Sequence, residues 1–133
     1  MRSYLSGSVD RRLYIGVLLV GDIGPIGDAT KIVFSTTLDK VKWDKARIVK
    51  NNIVEEFLKL KDQPGKNISL SGINTANVFI NKNLIDEYWI AIHPVILGSG
   101  KKLFEGISKN ILLKLIDTIK LKSGVVALHY KKI

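Results

Sequence analysis

From Lys31 onward the sequence alternates between two hydrophobic periods, and this alternation constrains the fold more than any other feature. Short β-branched runs, in which every second residue can face a core, are followed by stretches whose apolar residues recur at three and four, the spacing of one helix face. Strand-then-helix order of this kind calls for a sheet covered by helices and argues against a bundle or a sandwich. The 133 residues are enough for one domain with a real core and too few for two of ordinary size, so a single domain over 1–133 is expected.

Residues 31–35 read as a strand through Ile32, Val33 and Phe34, and 47–50 as a short second strand after a loop. Asn52 followed by Glu55 has the form of a capping box, and Ile53, Val54, Phe57 and Leu58 repeat helically until Pro64 and Gly65 stop the pattern. A strand over 67–71 then meets Gly72, and Ala76, Phe79 and Ile80 mark one face of a helix over 74–82. Residues 84–97 alternate like a long extended segment, in which Pro94 predicts a bulge or an edge position. The runs 112–121 and 125–130, separated by Lys122, Ser123 and Gly124, predict a closing hairpin. The first thirty residues show one strand, over 13–20, and no capped helix.

That early apolar run is about half the roughly 20 residues of a membrane helix, and Asp10, Arg11 and Arg12 flank it, so it reads as a buried strand and not a membrane segment. The Gly-Asp-Ile-Gly-Pro stretch at 21–25 is a poor signal-peptide cleavage site. With no cysteine there is neither a disulfide framework nor a thiolate metal site, which fits a reducing compartment, and the cytoplasm is the expected location. The net charge of +9, from 21 basic and 12 acidic residues, is spread along the chain without a basic run longer than two or a ladder of aromatics for stacking bases. It reads as a solvated lysine surface and not as a dedicated nucleic-acid site.

The residues that bear chemistry are few. Asp10 reads as a turn aspartate, and adjacent Asp86 and Glu87 face opposite sides of a strand that they begin at the surface. His93 and His129 are too few and too separate for a metal cluster, and no metal is expected. Trp43 and Trp89 read as packing residues, and Gly98-Ser99-Gly100 alone is only a turn.

Three stretches nevertheless look familiar: Lys-Ile-Val-Phe-Ser-Thr-Thr-Leu at 31–38, Leu-Ile-Asp-Glu-Tyr at 84–88, and His-Pro-Val-Ile-Leu-Gly-Ser-Gly-Lys-Lys-Leu-Phe at 93–104. With the Pro-Gly-Lys-Asn-Ile turn at 64–68 and Ser-Gly-Val-Val-Ala-Leu-His-Tyr at 123–130, they make the chain resemble the dihydrofolate-reductase-like family over 30–131. The C-terminal reductase domain of the bifunctional riboflavin-biosynthesis deaminase/reductase shares that fold. The resemblance implies an α/β domain with a mixed, mostly parallel sheet, helices on both faces, antiparallel C-terminal strands, and NADPH across the carboxyl ends of the strands. By position, Ser71, Gly72, Ile73 and Asn74 correspond to the pyrophosphate contacts, Ser35 and Thr36 to the adenosine-phosphate contacts, and Gly98, Ser99 and Gly100 lie near the cofactor.

Three departures stand out. Ser71-Gly72 replaces the usual Gly-Gly or Gly-Ser pair, Thr36 stands where members often carry a phosphate-binding arginine, and the front, 1–29, is atypical and shortened. Hydride transfer requires placement more than a motif, so no catalytic residue is assigned. The resemblance implies an NADPH-dependent reductase acting on a small pterin, pyrimidine or carbonyl compound. The alternative is an inactive, shortened homologue serving as a dimeric binding or structural protein, and a homodimer is expected in either case.

Overall fold

The computed structural model describes residues 2–5, 13–16, 30–64 and 67–133, the first two segments by their backbone alone. In chain order the elements are β1 (Arg2–Leu5), β2 (Leu13–Gly16), β3 (Thr30–Phe34), β4 (Ala46–Val49), α1 (Ile53–Asp62), β5 (Ile68–Ser71), α2 (Ile73–Asn81), β6 (Glu87–Ile92), β7 (Leu113–Lys120) and β8 (Val126–Lys132). All eight strands join one sheet in the order β4-β3-β1-β5-β2-β6-β8-β7. The pairings orient β2 through β7 the same way, with β1 and β8 reversed. The carboxyl ends of β3, β4, β5 and β6 therefore share one edge of the sheet, which is mixed, as the resemblance implies: six of the eight strands run the same way, while four of the seven pairings, those made by β1 and β8, are antiparallel.

The inner strands β3 and β5 are buried on both faces, with Ile32, Val33 and Phe34 continuous in β3 and the small Ser69 between Ile68 and Leu70 in β5. Residues 31–34 of β3 and 68–70 of β5 are all buried. On one face Ile32, Phe34, Ile68, Leu70 and Tyr88 meet Phe57 and Leu60 of α1 and Ala76, Phe79 and Ile80 of α2. Phe79 is the centre of this core, with its ring centroid 4.9 Å from that of Phe57 and 6.3 Å from that of Phe34. Among the described residues both helices share this face. The alternate positions Val33, Ser69, Glu87 and Ala127 are only 2–3% exposed, so at these positions the opposite face is buried as well.

Several local expectations change. Asn52 does precede α1, but it adopts a left-handed conformation (φ 55°) and makes no side-chain cap bond. Glu55 turns instead to Lys59, one helical turn on, at 2.9 Å, and this ammonium holds its carboxyl below the ordinary range. The extended segment expected over 84–97 is a strand only at Glu87–Ile92. The β6–β8 ladder ends at Ile92↔Val126, and Pro94, which has no N–H to donate, lies beyond it and not within a bulge. The hairpin between β7 and β8 forms as expected, with Gly124 at φ 86° in its turn. Strand β1 escaped the sequence reading, and β2 occupies the first part of the strand read over 13–20, whose remainder, like Asp10, lies outside the described residues. Among the described residues, no helix is long and apolar enough to cross a membrane.

Candidate functional site

The carboxyl edge gathers all nine residues singled out as cofactor contacts. Ser35 and Thr36 follow β3, Ser71 ends β5, Gly72, Ile73 and Asn74 open α2, and Gly98, Ser99 and Gly100 lie on the segment after β6. From β3 to β6 there are four strand-to-strand steps, so the three clusters span roughly 20 Å at about 4.8 Å per step. That is room for an elongated ligand laid across the strand ends.

Each cluster has its own local cause. After β3 the Ser35 N–H continues the ladder to the Val49 carbonyl at 3.2 Å. Its hydroxyl oxygen accepts the N–H groups of Thr37 (3.3 Å) and Leu38 (3.1 Å), which turns the chain and leaves Thr36 exposed. Beside it, at the end of β4, the Lys50 ammonium bonds Asp39 at 2.6 Å and ties the two strand-end loops together.

At the second cluster Gly72 is the N-cap of α2 with φ 103° and ψ 119°, a conformation open to glycine and costly for any residue with a Cβ. No side chain caps the helix, and its first turn holds no acidic residue. The first N–H groups of an α-helix have no partner inside it, so this helix start presents unneutralised donors and a partial positive charge. The first backbone bond back to the cap runs from Ala76 N–H to the Gly72 carbonyl at 2.9 Å.

The third cluster is fully solvent-facing: residues 98–100 are exposed, and Gly98 has φ 70°. It is tied to the second by Lys101, whose ammonium donates to the Asn74 side-chain oxygen at 3.1 Å. A cation is thereby held beside a helix start that is already positive. That is the electrostatics of a receptor for an anion.

A separate cluster was not anticipated. Glu87 was expected at the surface but is 3% exposed, and its carboxylate lies 2.7 Å from His129 Nε2. The antiparallel register sets Trp89 opposite His129, and the two rings stack with centroids 4.0 Å apart and planes 11° apart. Trp89 thus packs, as expected, although its partner is an imidazole. Asp86 sits alongside, bonded to Lys61 at 2.8 Å. Next to it the buried Tyr88 hydroxyl is pushed above its ordinary pKa, first by burial and then by the charge of Asp86. The signal for this cluster lay in strand pairing across 42 residues of sequence, which no local motif carries.

Comparison with known proteins gives concordant results. Residues 9–127 match the RibD C-terminal domain, a match that begins well ahead of residue 30. The uncharacterized protein YyaP of Bacillus subtilis is 44% identical over 101 residues, which make up 75% of this chain and 53% of YyaP, so the chain spans about half the length of that relative. Among solved structures, a putative riboflavin biosynthesis protein from Shewanella sp. PV-4 superposes with a TM-score of 0.64 at 22% identity, covering 94% of this chain and 75% of that one. Dihydrofolate reductase from Enterococcus faecalis, complexed with NADP(H), gives a TM-score of 0.57 at 15% identity over 94% of this chain and 76% of that enzyme. At these identities the two structures speak for the fold alone.

Proposed function

Because the chain belongs to the RibD C-terminal domain family, whose fold it shares with riboflavin-biosynthesis and dihydrofolate-reductase structures, we propose that it is an NADPH-dependent reductase. Its acceptor is a small pterin, pyrimidine or carbonyl compound. In this reading Ser71, Gly72, Ile73 and Asn74 bind the pyrophosphate, Ser35 and Thr36 the adenosine phosphate, and Gly98, Ser99 and Gly100 the part of the cofactor nearest β6. NADPH supplies the hydride when bound, and the chain's own residues bind and orient it.

The single observation that carries the reading is the start of α2. It combines donors without a side-chain cap, a first turn free of acidic residues and a cap conformation open to glycine, with Lys101 held alongside. These residues fit a diphosphate because each contributes positive potential or space, and nothing in the first turn of the helix repels the charge. Thr36 gives the adenosine end a hydroxyl where an arginine would give a fork, so charge recognition there falls to neighbouring cations such as Lys50.

A homodimer belongs to the same proposal. Val95, Ile96 and Leu97 are 61%, 98% and 75% exposed, and three such residues in a row form an apolar projection that a second copy can cover.

The test is a thermal-shift titration with NADPH and NADH, followed by loss of reduced-cofactor absorbance when candidate pterins, pyrimidines and carbonyls are added. NADPH at one hundred times its dissociation constant should stabilise the chain by about 2.7 kcal/mol. A melting temperature that stays put with both cofactors refutes the reading, and an equal response to both refutes the preference for the phosphorylated one.

A further inference from the structure

Three asparagines on α2, Asn74, Asn77 and Asn81, stand at positions i, i+3 and i+7 and so lie on one side of the helix. All three bond the segment that connects the Gly98–Gly100 turn to β7. Lys101 donates to Asn74 at 3.1 Å, and the Asn77 amide donates to the Glu105 carbonyl at 2.9 Å. Asn81 donates to the Gly106 carbonyl at 3.0 Å and accepts the Ser108 N–H at 3.1 Å and its hydroxyl at 3.3 Å. The segment therefore runs beside α2 from its amino end to its carboxyl end, fastened at every turn.

This fastening stands in for ordinary means of order. Residues 96–111 contain no helix or strand and, apart from a turn over 103–106, run irregularly. Packing beneath them is incomplete: Ile107 and Ile111 reach the core, but a cleft of about 290 Å³ remains between them, Phe104 and Tyr88. An amide side chain suits such a segment because it carries a donor and an acceptor together and can hold an irregular backbone by either group. The same ladder fixes where Gly98, Ser99 and Gly100 stand relative to the start of α2.

We infer that Asn77 and Asn81 are positioning residues for the cofactor: they touch no part of it, and they hold the 98–108 strap so that its glycine turn and Lys101 face the helix start in advance of binding. The inference rests on the cofactor reading above. A preorganised strap binds more tightly because its ordering cost is met during folding. Releasing it transfers that cost to the binding step.

The experiment compares the full chain with Asn77→Ala/Asn81→Ala, with Asn81→Asp, and with Asn110→Ala as a control that breaks none of these bonds. It measures NADPH dissociation constants and amide exchange in 98–108 and in β5. The double variant should bind NADPH at least about tenfold more weakly, the factor that corresponds to about 1.4 kcal/mol, and exchange faster in 98–108 with β5 unchanged. Asn81→Asp keeps the acceptor for Ser108 and loses the donor to Gly106, so it should fall between wild type and the double variant. Faster exchange with unaltered NADPH affinity makes the ladder purely structural and overturns the inference alone, as does unaltered exchange. A wild-type chain that does not bind NADPH overturns the cofactor reading and this inference together.

Discussion

Replacing Gly72 with alanine tests the architecture of the site at its most constrained backbone position. The residue sits at φ 103° and ψ 119°, where a Cβ is strained by roughly 1–3 kcal/mol. Alanine also restricts the unfolded chain, which returns about 0.4–1 kcal/mol. The net expectation is a destabilisation of about 1–2 kcal/mol. Unfolding entropy near 2.1 cal/mol/K per residue over 133 residues gives about 0.28 kcal/mol/K, so the melting temperature should fall by about 4–7 °C. Gly98 is the internal comparison: it has φ +70° with open space at its Cβ position, and a left-handed alanine costs about 1–2 kcal/mol before the same return. Its loss should be smaller, about 0.5–1 kcal/mol. Urea titrations of both variants should show lower midpoints at an unchanged slope. The reasoning fails if Gly72→Ala melts at or above the wild-type temperature, or loses less stability than Gly98→Ala.

Phe79→Ala removes the ring on which both helices and β3 converge, and should cost about 3–5 kcal/mol in urea unfolding; a loss below about 1.5 kcal/mol would show that the core is not centred there. Glu87→Gln weakens the 2.7 Å hydrogen bond to a largely buried His129 and should cost about 1–3 kcal/mol, with little further loss when His129→Gln is added; additive losses in that cycle would refute the pairing. In a Trp43→Phe background, His129→Ala should change Trp89 emission, because the imidazole stacks on the indole; an identical spectrum would exclude the stack in solution. Tyr88 has a folded-state pKa raised above 10.0, so its contribution is complete below that pH and is lost as pH climbs through the raised value. Stability should therefore fall on the alkaline side of pH 10.0, and Tyr88→Phe should flatten that limb; an unchanged limb in the variant would assign it to other groups.

What could be read from the sequence follows from how far each signal reaches along the chain. Strand β3 was legible through its continuous Ile32-Val33-Phe34 run, β5 through Ile68 and Leu70 two residues apart ahead of Gly72, and the β7–β8 hairpin because Gly124 supplies its turn. The strand end at Ile92 was misread because Val95, Ile96 and Leu97 continue the apolar pattern into solvent. Glu87 was misplaced because its partner arrives from β8, and the Asn52–Glu55 capping box because Asn52 turns left-handed. The candidate phosphate cluster was legible through its glycine and helix start. Lys101, Asn77 and Asn81 were not, since the spacing of three asparagines on α2 reads equally well as a solvated face until the strap is laid against it.

Strand β1 carries a consequence for assembly. Among the described residues, β3 pairs with β4 and β1, and β5 with β1 and β2, so the four residues of β1 form the seam between the two portions of the sheet. Arg2 must wait for Ser71 and Leu5 for Ile68. Until β1 is locked in place, the β3 and β5 edges present open hydrogen-bonding groups to any other chain. A short peptide of the β1 sequence, supplied separately to a chain lacking it, is the natural reagent for closing that seam from outside.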